Sequence, residues 1–261
     1  MKQIILLSFI FILVTVTPIF AAGDTVSVSI NGEMSDKIVY IDDKDYSLLP
    51  VRWVAEQFQC SLIWDSNRKA AVLSRDNKEY RLESGKNFIL TENGEIKIDT
   101  EIKIIEERLF VPIRGFAQCF NLEVKWNQDT KTIYIMEPSK ILYQDEELGV
   151  IILTPNHYSK RDYDIVKSKK NNEIVLSFFV HEKNQFLFSL NFFDIRYWNK
   201  EVKDNFPLMY SEIYKNDSMI VLCVNATDVQ YPPDDIEQKE IYEQLLNTKE
   251  EICNTLCFFT S

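Results

Sequence analysis

Histidine is almost missing from this chain: His157 and His181 are the only two in 261 residues. A metal centre built on three imidazoles is thereby excluded. Glycine and proline are also sparse, at six and eight, which excludes collagen-like and low-complexity architectures. The sequence contains no GxSxG elbow, no HExxH, no glycine-rich phosphate loop and no Cys-x-x-Cys, so the commonest hydrolase, metalloprotease, nucleotide and thiol-redox signatures are absent. Basic residues are outnumbered, 29 Lys and Arg against 40 Asp and Glu, for a net charge of −11. Sequence-independent binding of DNA or RNA needs a basic footprint and is excluded on that ground. What the chain does have is a foldable composition, 46% hydrophobic and 13% aromatic, which places it among globular chains with a sizeable core.

The longest apolar stretch comes first. Lys2 precedes apolar runs at Ile4–Leu7 and Phe9–Val14, followed by Pro18 and the small residues Ala21, Ala22 and Gly23. This pattern predicts a signal peptide over residues 1–22 with the mature chain starting near Gly23. An uncleaved anchor needs about 20 predominantly apolar residues, and Thr15, Thr17 and Pro18 shorten the run. No Cys follows it to carry a lipid. The expected location is therefore secreted or extracytoplasmic, associated with the cell surface, with no membrane attachment after cleavage. The five cysteines, Cys60, Cys119, Cys223, Cys253 and Cys257, are odd in number. Cys253 and Cys257 lie four apart in a helical pattern, which is too wide for a mutual bridge. A bridge from Cys60 to Cys119, or from Cys223 to the last helix, stays open.

An internal repeat dominates the first half. Asn31-Gly32-Glu33 recurs as Asn93-Gly94-Glu95, and the stretch from Leu48 to Leu73 recurs from Phe110 to Ile135, both at an offset of 62. Pro50, Arg52, Ala55, Phe58, Trp64 and Lys69 superpose without a gap on Pro112, Arg114, Ala117, Phe120, Trp126 and Lys131. Each copy reads as a hairpin around Asn-Gly, a short helix opened by Pro, and two strands. Val51, Val54, Ala55 and Phe58 share one helical face.

These residues resemble a known family. Pro-x-Arg-x-x-Ala opening a helix, then a strand ending in Trp-Asp or Trp-Asn, a Lys-containing turn and an apolar strand, is similar to the copper amine oxidase N-terminal-like, or stalk, domain of exported Gram-positive proteins. The similarity runs from about Val26 to Met136 and contains both copies. It implies an α+β fold with antiparallel strands curved around a helix. It does not imply amine oxidation, because in the oxidases this domain is an appendage and the copper ligands and quinone-forming Tyr belong to a separate catalytic domain. No catalytic residue, metal or cofactor is expected.

The run from Glu137 to Glu147 is polar and contains Pro138. It predicts a linker over residues 138–147 between a domain at 23–137 and a second domain at 148–261. In the second, GVIILTP, YDIVKS, EIVLSFFV, FLFSLNFFDI, YSEIYK and MIVLCVNATDV read as successive strands. After Pro232-Pro233, Asp234 or Asp235 is placed to cap a helix with Ile241, Leu245, Ile252 and Leu256 inward. The expected class is α+β throughout: a tandem repeat of antiparallel strands packed on short helices, then an antiparallel sheet with one long terminal helix. Gly149-Val150, Phe186–Ser189 and Asp228–Tyr231 give this half a looser similarity to an uncharacterised extracytoplasmic domain.

Two kinds of residue stand out as candidate ligand contacts because they recur. Arg52 and Arg114 sit in a helix's first turn, where the dipole disfavours a cation, so each is expected to reach a carboxylate or carbonyl, with an anionic ligand as the alternative. Trp64 and Trp126 end apolar strands and are expected in the core, with sugar stacking as the alternative. Ser159 near His157 and Asp162, and His181-Glu182, read as polar turns. The function expected is that of a secreted, non-enzymatic envelope protein docking on cell-wall polymer or an exported partner. The alternatives are an envelope sensor or inhibitor acting through the second domain, and a cryptic wall hydrolase.

Overall fold

The computed structural model describes residues 26–260 except 38, 171, 199–202, 204–205, 207–208 and 229. The expected signal peptide lies outside the described residues. The first copy of the repeat supplies β1 (Ser27–Ile30), β2 (Glu33–Ser35), β3 (Tyr40–Ile41), β4 (Ser47–Pro50), α1 (Val51–Gln57), β5 (Ser61–Asp65) and β6 (Ala70–Arg75), followed by β7 (Lys78–Glu83). The second copy supplies β8 (Phe88–Thr91), β9 (Gly94–Lys97), β10 (Lys103–Ile105), β11 (Arg108–Pro112), α2 (Ile113–Phe120), β12 (Glu123–Asn127) and β13 (Thr132–Met136). Pro50 and Pro112 end a strand and cap a helix at once, in extended conformation. The apolar face read from Val51, Val54, Ala55 and Phe58 is buried as expected.

The two copies interlock. β4 pairs antiparallel with β11, and Leu49 stands opposite Val111, its own counterpart 62 residues on. Arg75 and Glu137, again 62 apart, form an ion pair at 2.5 Å. A local twofold axis therefore passes through both contacts. Around it the hairpins change places. The β1–β2 hairpin of the first copy lies beside β13 of the second, in the order β12-β13-β1-β2, and the β8–β9 hairpin of the second copy closes the sheet of the first, β5-β6-β7-β8-β9. The Asn-Gly turns are not identical: the first turns on Asn31-Gly32, whereas the second slips by one residue and pairs Thr91 with Gly94.

One proline accounts for the different neighbours of β6 and β13. β7 folds back on β6 through Asp76-Asn77, both at positive φ, as a tight primed turn requires. At the same two places the second copy has Pro138 and Ser139, and the proline ring locks φ negative. The chain turns away through a 3-10 turn, Pro138–Lys140, into β14 (Ile141–Asp145), and β1 takes the vacated edge of β13 in parallel. Within the expected linker, residues 141–145 form β14, whereas 138–140 and 146–147 are exposed. Ile141 and Leu142 are buried, and β14 pairs with β15 (Val150–Leu153).

The second half holds β16 (Tyr163–Lys170), β17 (Glu173–Val180), β18 (Gln185–Asp194), β19 (Tyr210–Lys215), β20 (Met219–Asn225), α3 (Ile236–Asn247), α4 (Lys249–Asn254) and β21 (Cys257–Phe258). Every strand read from the sequence is present. They form two sheets rather than one, an antiparallel β16-β17-β18-β20-β19 and a small β14-β15-β21. Asp235 caps α3, its carboxylate accepting the Gln238 amide at 2.9 Å. Leu245 and Ile252 are buried as expected, whereas Ile241 is 38% exposed and its neighbour Tyr242 is buried instead. The Tyr242 hydroxyl donates to the Phe186 carbonyl at 3.0 Å, so the polar end of this buried side chain is satisfied. Among the described residues no helix is long and apolar enough to cross a membrane.

Candidate functional site

The interlocking produces two grooves, of about 450 and 560 Å³, and they are copies of each other. The larger is floored by Pro50, Val51 and Arg52 of the first copy with Leu62, Trp64 and Ala71 of its strands. The smaller has their counterparts at an offset of 62, Pro112, Ile113 and Arg114 with Val124, Trp126 and Ile133. The opposite wall is exchanged. Glu107, Arg108 and Leu109 of the second copy close the larger groove, and Asp45, Tyr46 and Ser47, their counterparts, close the smaller. Each groove therefore takes helix and strand from one copy and a hairpin turn from the other. These turn residues were missed in the sequence reading, although they obey the same offset.

All four candidate contacts line the grooves, one Arg and one Trp in each. The expected internal partners of Arg52 and Arg114 are not there. Both side chains are exposed, and among the described residues neither makes a hydrogen bond or ion pair. Neither helix has an acidic residue in its first turn to offset the cation. The two Trp residues diverge. Trp126 is half-buried against the core, and its indole N–H donates to Gln128 Oε1 at 2.9 Å. Trp64 is 43% exposed, contrary to the core expectation. The difference lies beside the strands: among the described residues nothing pairs with the outer side of β5, whereas Thr260 bonds to the Trp126 carbonyl on the outer side of β12.

The walls differ in charge. Lys37, Arg52 and Arg108 face Glu56 and Glu107 in the larger groove, whereas Arg114 and Lys125 face Asp45 and Asp99 in the smaller. Lys125 is engaged by Glu146 at 2.9 Å. The wall of the smaller groove is anchored by Asp42, whose carboxylate accepts the Tyr46 and Lys44 amides at 2.9 and 3.0 Å and the Thr100 hydroxyl at 2.8 Å. Burial pushes this carboxyl up, but those hydrogen bonds and Lys103 at 3.3 Å outweigh it and bring it down to about 2.

Elsewhere, the polar clusters have structural explanations. Ser159 caps the turn Lys160–Asp162, accepting the Arg161 amide while Asp162 accepts the Ser159 amide at 2.6 Å, which is a capping box and not a nucleophile with its base. His181 Nδ1 sits 2.8 Å from Asp164, which holds its pKa above the ordinary value and pins the β17–β18 turn to β16. All five thiols are free. Burial pushes Cys60 to about 11 and both Cys119 and Cys257 to about 12, far from a thiolate nucleophile at neutral pH. Among the described residues no three His, Cys, Asp or Glu are gathered as a metal site would require.

No curated protein matches the chain. Residues 29–135, which hold nearly all of both copies and of the groove lining, match the family model of the copper amine oxidase N-terminal domain, a non-catalytic domain family, and this stretch is similar to such a domain.

Proposed function

We propose that this is an exported, non-enzymatic envelope protein that docks on cell-wall polymer through its paired grooves. The observation that carries the reading is that two exposed arginines, with no partner among the described residues, recur in equivalent grooves, each beside a tryptophan. A groove that offers a flat aromatic face and a guanidinium fork suits a ligand carrying sugar rings and acidic groups. The ring stacks on the indole, and the carboxylate or phosphate accepts paired hydrogen bonds from Arg. A chain with net charge −11 gains little long-range attraction toward such a polymer, so recognition rests on these local contacts and on the two grooves acting together.

Co-sedimentation with purified cell wall tests this. Trp64→Ala is expected to keep the melting temperature, since an exposed side chain away from special features contributes within about 0.5 kcal/mol, and to weaken sedimentation with wall. Arg52→Ala should weaken it similarly. A Trp64→Ala, Arg52→Ala, Arg114→Ala variant that sediments as well as the parent protein would end the proposal.

A further inference from the structure

The two copies also differ in what covers their edge strands. In the second copy, the outer edge of β12 is closed by the chain's own extended segment Phe258–Thr260. The Thr260 amide donates to the Trp126 carbonyl at 2.8 Å, Asn127 Nδ2 donates to the Phe258 carbonyl at 2.8 Å, and the Lys125 ammonium lies 4.5 Å from the centre of the Phe259 ring. In the first copy the equivalent strand, β5, pairs with β6 in the same register and, among the described residues, has nothing on its other side. Where β12 carries Lys125, β5 carries Ile63, which is 68% exposed. A charged residue on an edge is a common guard against strand addition, and an exposed apolar edge invites it. Here the guard is on the edge already covered.

From the equivalence of the two strands we infer that β5 pairs antiparallel with β5 of a second copy of this chain, joining two five-stranded sheets into one. The register follows from geometry. The Trp126 carbonyl points outward, so the Trp64 carbonyl does too, and with it, two residues back, that of Leu62. Two such strands meet about a twofold axis at Ile63, with Leu62 and Trp64 exchanging hydrogen bonds with Trp64 and Leu62 of the other strand. Ile63 then faces Ile63 and Ser61 faces Asp65, so apolar residues meet apolar ones and no like charges stand opposite. The contact is isologous and closes as a dimer. Ile63 lies on the sheet face opposite Trp64, so its own side chain does not line the groove.

Sedimentation velocity of the purified protein up to about 1 mM, a range that covers weak association, should show its mass rise from one chain toward two. Ile63→Lys, which copies the second repeat, should hold it at one chain with unchanged melting. The register is tested by cross-linking with oxidised glutathione, which takes the two electrons and two protons that a pair of thiols loses in forming a disulfide. Ile63→Cys should cross-link to a covalent dimer, because directly opposed residues at a non-hydrogen-bonded site bring their Cα atoms to about 4.5 Å. Ser61→Cys, four residues out of register with itself, should not. A parent protein that stays at one chain throughout, a dimer that survives Ile63→Lys, or equal cross-linking at 61 and 63 would each overturn the inference.

Discussion

Trp53 and Gly115 hold the same place in the two copies, and the contrast shows what a single side chain decides. In α1 the Trp53 side chain packs beside the core and lines the larger groove. In α2 a Cβ at Gly115 would stand 2.4 Å from the Ile98 side chain, which is buried. Gly115→Ala should therefore destabilise the protein by about 1 to 3 kcal/mol through overpacking, although Ala is the better helix former by about 1 kcal/mol. Denaturant unfolding measures it, and adding Ile98→Val should recover part of the loss. An unchanged midpoint would show that Ile98 moves aside freely. At this scale the sequence was informative about identity and poor about surroundings. Arg52, Arg114, Trp64 and Trp126 were all singled out by recurrence, and all four line the grooves. The partners expected for the arginines, and the burial expected for Trp64, depend on neighbours in space that an offset of 62 does not encode.

At the scale of elements, the repeat was legible because its spacing is exact in sequence, but the exchange of hairpins was not. Both arrangements, each hairpin against its own copy or against the other, satisfy the same apolar patterns. What separates them is Pro138, which denies β13 the return turn that Asp76-Asn77 gives β6 and leaves an edge for β1. The exchange makes each copy incomplete alone. Residues 26–87 hold β1 and β2 without β13, and β7 without β8. That fragment should show no cooperative melting by circular dichroism, and adding residues 88–147 should restore structure. A fragment 26–87 that melts cooperatively by itself would contradict the pairing. In the second half the strands were legible from their alternation, whereas the split into two sheets was not, because β14 lay hidden in a polar-looking stretch and β21 is only Cys257 and Phe258.

At the scale of the molecule, the halves are joined through a shared layer. Met136 and the partly buried Tyr134 pack with Ile141, Ile151, Leu153, Cys257 and Phe259, and the first turn enters the same contact, since a Cβ at Gly32 would meet Leu153 at 2.9 Å. Asn216 of the second half donates to Asp129 of the first at 2.9 Å. A linker reading predicts early proteolysis between residues 138 and 147 and two melting transitions. The buried Ile141 and Leu142 predict instead that this stretch resists cleavage and that calorimetry shows one transition for both halves. Two separate transitions, or a first cut at 138–147, would restore the linker. The parallel pairing of Ser27 with Thr132 has a further consequence, which concerns time. A chain made from its first residue onward presents β1 about a hundred residues before its partner exists, and contacts that close loops of this length form slowly. Until β13 emerges, the β1–β2 hairpin is an open edge, and any factor that holds the chain unfolded during synthesis has its best grip there.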